Sequence, residues 1–213
     1  MAEPARAVTA PMPWTAPRVG TESEVEALAA EWIAPYHQAE HLVRARDWLV
    51  HLTPSATAEM RIAAITHDIE RMFPGGPVLG HADVRWDDPA YLFPHSLRSA
   101  EVVSVWLGNL GPVAATVDGA EIRRLIGLHE VGGLNGADDV QAADSLSFLE
   151  TLAGVTRDWV LSGTCSRVQA QRKLQYMVDR VRLPAATRLA GPLLEWALDQ
   201  LPADTATAEV GGR

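Results

Sequence analysis

Histidine and aspartate side chains on helix faces that should be apolar carry the chemistry open to this chain. A helix of a soluble protein keeps the stripe facing its core apolar, so a His or Asp on that stripe is the informative residue. His41 lies on the face of Ala45, Trp48 and Leu49. His67 continues Met60, Ala63 and Ala64, with Asp68 beneath Ala64. His95 opens a segment whose inward face is Val102, Val103 and Trp106, His129 follows Ile122, Leu125 and Ile126, and Asp144 falls in the row of Val140, Ala143 and Phe148. Four imidazoles and two carboxylates are thus aimed at one interior.

One core histidine is usually a satisfied hydrogen-bonding residue. Six such groups together call for more, because a buried carboxylate costs several kcal/mol unless it is paired or coordinates a cation. Lys and Arg are largely absent from the same stripes, so a metal is the simplest partner. Imidazole and carboxylate without thiolate suit Fe, Mn, Zn, Co or Ni rather than a soft structural site. Six ligands exceed what one metal that also takes substrate can use, and they suit two metals roughly 3.5 to 4 Å apart with a bridging carboxylate.

Helices must position these residues. The apolar period predicts them over 22–34, 37–51, 55–72, 95–109, 119–130, 138–152, 166–181 and 185–201, with capping boxes at Thr21/Glu24 and Asp118/Glu121. Strand alternation and internal repeats are not evident, so the expected fold is an all-α bundle in one domain, 21–201. Residues 1–20, rich in Ala, Pro and Thr, and the tail 202–213 read as frayed or disordered ends. The stretch from Phe73 to Pro94 holds several Pro and Gly and reads as a loop, either a site wall or a plain crossover.

The 213 residues carry 18 Lys plus Arg against 27 Asp plus Glu, a formal charge of −9. An acidic surface argues against nucleic acid and anionic membrane as partners. The longest uncharged run, Val102 to Val117, is broken by Gly108, Gly111 and Pro112, too short for a span of roughly 20 residues. A single cysteine, Cys165, excludes an internal disulfide and reads as a partly buried small hydrophobe. With no apolar leader at the N-terminus, the expected location is the cytoplasm. His51 and His81 read as solvent-facing, and His37 belongs at a helix start.

In chain order the inward residues are His41, the dipeptide His67-Asp68, His95, His129 and Asp144. This resembles the HD-domain metalloprotein superfamily. HLVRARDWL, AAITHDIE, HSLRSAEVVSVWL, IRRLIGLHEVGG and AADSLSFLE look like its successive ligand helices, over about residues 37–152. Thr66 before the dipeptide and Ile69-Glu70-Arg71 after it depart from the family's apolar neighbours. Both intermediate histidines place the resemblance with the dinuclear members, which implies His41, His67, Asp68 and Asp144 at one metal, and Asp68, His95 and His129 at the other. Iron or manganese is the first expectation, then cobalt, nickel or zinc.

The implied activity is that of a phosphohydrolase, activating water against a small phosphorylated metabolite or nucleotide. The alternative is a mixed-valent di-iron oxygenase cleaving a C–C or C–P bond. The hydrolytic reading needs cations for phosphate oxygens. Candidates are Arg44, one turn after His41, Arg98, one turn after His95, and Lys173, the only lysine of the chain. Asp68, Glu70 and Lys173 are the catalytic candidates, and Glu130, like Glu70, adjoins a ligand and could orient it. A homodimer is left open by the sequence.

Overall fold

The computed structural model describes residues 11–77 and 87–203. Among these the regular structure is entirely helical: α1 (Glu24–Ile33), α2 (Ala39–Leu52), α3 (Ala58–Thr66), α4 (Pro89–Asn109), α5 (Gly119–Leu128), α6 (Ala137–Thr151), α7 (Ala153–Leu161), α8 (Arg167–Asp179) and α9 (Pro184–Asp199). Short 3-10 turns occupy Ile69–Met72 and Gly111–Thr116. The expected all-α single-domain bundle is what forms. No helix among the described residues is long and apolar enough to cross a membrane.

The bundle is organised around α6. Residues 140–149 of this helix are buried all round, which its small residues allow. Ser145 satisfies its own hydroxyl by donating to the Gln141 carbonyl (2.9 Å). α2 packs along α6 as the most extensive pairing, α3 bridges α2 and α5, α4 lies on α5, and α8 and α9 close the far side of α6. Val25, Leu42, Trp48, Ile62, Ile126 and Leu146 are among the fully buried core residues.

Four features differ from the sequence reading. The helix expected over 55–72 stops at Thr66, and Asp68 leaves helical geometry (φ −105°, ψ 7°) before the 3-10 turn. Neighbours on a regular helix point about 100° apart, and the break lets His67 and Asp68 face one interior. α4 starts at Pro89 because Asp88 caps it, its side chain accepting from Ala90 N, so His95 lies inside the helix rather than at its start. α7 was not expected. The N-cap of α1 is Ser23, which accepts from Glu26 N, rather than Thr21.

Residues 11–20, expected to fray, are held along the bundle without regular structure. The carbonyls of Ala16, Val19 and Gly20 accept from Arg44 (2.7 Å), Arg46 (2.7 Å) and Arg61 (2.8 Å), and Ala16 is buried. Three buried guanidiniums need acceptors, and this strap supplies them. His81 and the 78–86 part of the predicted loop lie outside the described residues.

Candidate metal centre

His41 comes from the first turn of α2, His95 from α4 and Asp144 from α6. His67 and His129 are the residues that end α3 and α5. A helix end leaves backbone carbonyls without partners, and both histidines use this. His67 Nδ1 bonds the Ala64 carbonyl (2.9 Å) and His129 Nδ1 that of Ile126 (2.7 Å). A carbonyl only accepts, so Nδ1 carries the proton and Nε2 of the neutral ring holds a lone pair.

The other two rings are oriented the same way. Ser147 Oγ donates to the His41 carbonyl (2.6 Å), which leaves its lone pair for the His41 Nδ1–H at 2.9 Å. The Glu70 carboxylate takes His95 Nδ1 at 2.9 Å. Each Nε2 then faces a carboxylate oxygen. Asp144 Oδ1 is 3.3 Å from both His41 and His67, and Asp68 Oδ1 is 2.7 Å from His95 and 3.7 Å from His129. The second oxygen of each aspartate is held by an arginine: Asp68 Oδ2 by Arg71 Nε (3.3 Å), and Asp144 Oδ2 by Arg180 Nη2.

The donor set fits a divalent cation. Ligand atoms of His41, His67 and Asp68, of His67, His129 and Asp144, and of Asp68, His95 and His129 form three overlapping groups, each within 4.8 Å. Nε2 of His67 and of His129 are buried and make no hydrogen bond. A buried Nε2 lone pair on His129, and on His67 an Nε2 that takes either a proton or a cation, both beside carboxylates, make a setting that a metal ion satisfies. The six residues aimed inward by the sequence pattern therefore converge, and they could hold metal.

The field at the site follows from its charges. Burial opposes ionisation of Asp68 and Asp144, but Arg71 beside the first and Arg180 beside the second hold both carboxyls well below their ordinary range. Burial also disfavours charge on His67, yet Asp144 and Asp68 outweigh it and raise its pKa to about 9. His129 has no such close pairing, and burial takes it down to about 4.

The remaining candidates separate. Glu70 is buried, with one oxygen on His95 Nδ1 and the other 3.1 Å from Arg98 Nε, and it holds the His95 ring in place. Arg98 also donates to the Phe73 and Pro74 carbonyls. Arg44 does not face the histidines: Glu150 (2.9 Å), Asp47 (2.6 Å) and the Ala16 carbonyl occupy its guanidinium, so it ties α2 to α6 and to the strap. Lys173 lies over the rings of Phe148 (4.9 Å) and Tyr176 (5.3 Å), and burial lowers its pKa to about 8 against the pull of Glu130. Glu130 is buried and paired with Arg180, with Oε1 3.9 Å from His129 Nε2. His51 is on the surface, as expected, His37 lies exposed in the turn just before α2, and Cys165 is half-buried.

Sequence reasoning missed Arg71 and Arg180. Arg71 follows Asp68 by three residues, the spacing of an ion pair on one helical turn, and that signal was readable. Arg180 lies seven residues beyond Lys173, two turns along the same face, but its partner Asp144 is 36 residues away in sequence. Solvent reaches the site on the carboxylate side. The four imidazoles are at most 1% exposed, the Asp68 side chain 11% and that of Arg71 34%.

Comparison of the chain with family models, with curated proteins and with solved structures finds no match in any of the three.

Proposed function

We propose that this chain is a metal-dependent phosphohydrolase of the HD superfamily, holding two divalent metal ions, iron or manganese first, and acting on a small phosphorylated substrate. The observation that carries the reading is the arrangement of the six ligands: every imidazole has Nδ1 anchored and Nε2 turned toward Asp68 or Asp144. His41, His67 and Asp144 form one side of the set, Asp68, His95 and His129 the other.

Charge balance favours an anionic substrate. Three arginines face the four carboxylates around the histidines, Asp68 with Arg71, Glu70 with Arg98, and Glu130 and Asp144 sharing Arg180, which leaves one negative charge over. Two divalent ions bring more positive charge than that remainder cancels, and a phosphate group balances the excess. When bound, the metals supply Lewis acidity toward a phosphoryl oxygen and acidify water. Glu70, Ser147 and the two helix-end carbonyls hold the imidazoles in the tautomer that presents Nε2. Arg71, 34% exposed beside Asp68, neutralises the phosphate oxygens, with Lys173, near Glu130 and Phe148, as a second cation. Hydrolysis joins the oxygen of water to phosphorus as the ester P–O bond breaks, and the alcohol leaves with a proton.

The test is phosphate release by protein loaded with manganese or iron, with and without air. Release that is independent of oxygen is expected, and Arg71→Ala should keep the metal while kcat/KM falls by about tenfold to a hundredfold, the loss typical of one donor to a reacting oxyanion. Oxygen uptake without phosphate release would replace the hydrolase with the di-iron oxygenase.

A further inference from the structure

The chain has three tyrosines and one lysine, and all four lie around the metal centre. Tyr91 stacks on His95, the rings 3° from parallel and 5.8 Å apart, and Arg71 lies 5.9 Å over the Tyr91 ring. On the other rim Lys173 Nζ stands 4.9 Å over Phe148, whose ring also takes the edge of His41 at 6.3 Å. Tyr176 carries both Lys173 at 5.3 Å and Arg180 at 5.6 Å. Tyr36 is only 3% exposed, with its hydroxyl on Gln38.

Among the described residues the two half-buried tyrosines near the histidines, Tyr91 and Tyr176, are therefore each in contact with a cation. Proteins that hold a nucleobase by stacking offer it an aromatic face. Here a base that stacked on Tyr91 or Tyr176 would have to displace Arg71 or Lys173, the same cations that an anionic substrate needs. Phenol hydroxyls and cations suit a substrate with hydroxyl groups and a phosphate.

Resting on the phosphohydrolase reading, we infer that the site takes a small, hydroxylated, non-aromatic phosphomonoester, of the sugar- or polyol-phosphate class, in preference to a nucleotide. Ribose 5-phosphate and adenosine 5′-monophosphate form the matched test, because they share the phosphate and the sugar and differ by the base. With the metal-loaded protein, kcat/KM for ribose 5-phosphate should exceed that for the nucleotide by at least about tenfold, since a base stacking on Tyr91 or Tyr176 would disturb the cation already there. Calorimetric binding of the two compounds should show the same order. Lys173→Met, which removes the cation from Phe148 and leaves Tyr176 with Arg180 alone, should shift the ratio toward the nucleotide, a change that general loosening of the fold would not produce.

Equal or better turnover of adenosine 5′-monophosphate by the unaltered protein overturns this inference and leaves the phosphohydrolase standing. An unchanged ratio in a folded, metal-binding Lys173→Met variant overturns the role of the covered rings. Release of phosphate from neither compound, nor from p-nitrophenyl phosphate, by protein that binds metal overturns the phosphohydrolase itself and this inference with it.

Discussion

At the scale of single residues, the atoms behind the ligands decide whether the ligands work. Glu70 holds His95 Nδ1 at 2.9 Å, and its substitution leaves the imidazole free to rotate or to present the wrong nitrogen. Glu70→Gln is expected to weaken metal binding by about tenfold or more while the helical content stays unchanged, measured by competition with a chelator. Unaltered affinity would show that Glu70 does not orient His95. The raised pKa of His67 and the lowered one of His129 set a pH dependence for protein stripped of metal. The unfolded value of each is about 6.5. Stability from His67 is fully present below that pH and is lost as pH rises through about 9. His129 acts in the opposite direction, and its contribution is lost as pH falls from 6.5 through about 4. The histidine-linked stability of the stripped protein should therefore be greatest near pH 6.5, and saturating metal, which takes the place of the His67 proton, should remove the alkaline decline. Thermal unfolding across pH 4 to 9 checks this, and a stripped protein that gains stability steadily from 6.5 to 9 would contradict it.

At the scale of elements, α2 and α6 form the seam that carries two of the six candidate ligands, His41 and Asp144. His41 and Arg44 are one turn apart on α2, and Ser147 and Glu150 one turn apart on α6. Ser147 reaches His41, while Glu150 accepts from Arg44 (2.9 Å) and from Trp48 Nε1 (2.6 Å). Glu150→Ala would leave a buried guanidinium with one carboxylate fewer and a buried indole N–H without its acceptor. The expected loss is about 3 kcal/mol in urea unfolding, and a change below about 0.5 kcal/mol would show that the pairing adds nothing. The inward ligands were legible because each interrupts an apolar stripe, a local property of one helix. Arg44 is on the same helix as His41 and was read as a substrate donor because its acceptors, Glu150 and the Ala16 carbonyl, come from distant segments. The strap of residues 11–20 escaped reading for the same reason: its order comes from three buried arginines, not from any period of its own. The break at His67-Asp68 was hidden as well, since the apolar pattern of α3 runs on into the 3-10 turn.

At the scale of the whole molecule, nine helices among the described residues bury the histidine and aspartate cluster and, beside the 11–20 strap, a second charged group of Arg44, Arg46, Arg61, Glu26 and Asp47. Burying His41, His67, His95, His129, Asp68 and Asp144 together is costly unless something charged and positive joins them. Arg71 and Arg180 take one oxygen from each aspartate, and Nε2 of His67 and of His129 is left buried without a hydrogen bond. The fold class followed from the pattern of helices, whereas the arginines and tyrosines around the opening became visible only once α8 and the turn after Asp68 were seen beside the histidines. The most direct measurement is the metal stoichiometry of purified protein, by elemental analysis after equilibration with manganese or, without oxygen, with iron, for the native chain and for His67→Ala. Two ions per chain, reduced in the variant that retains its helical content, is the result expected. A native chain that folds but binds no metal under either condition would contradict the account.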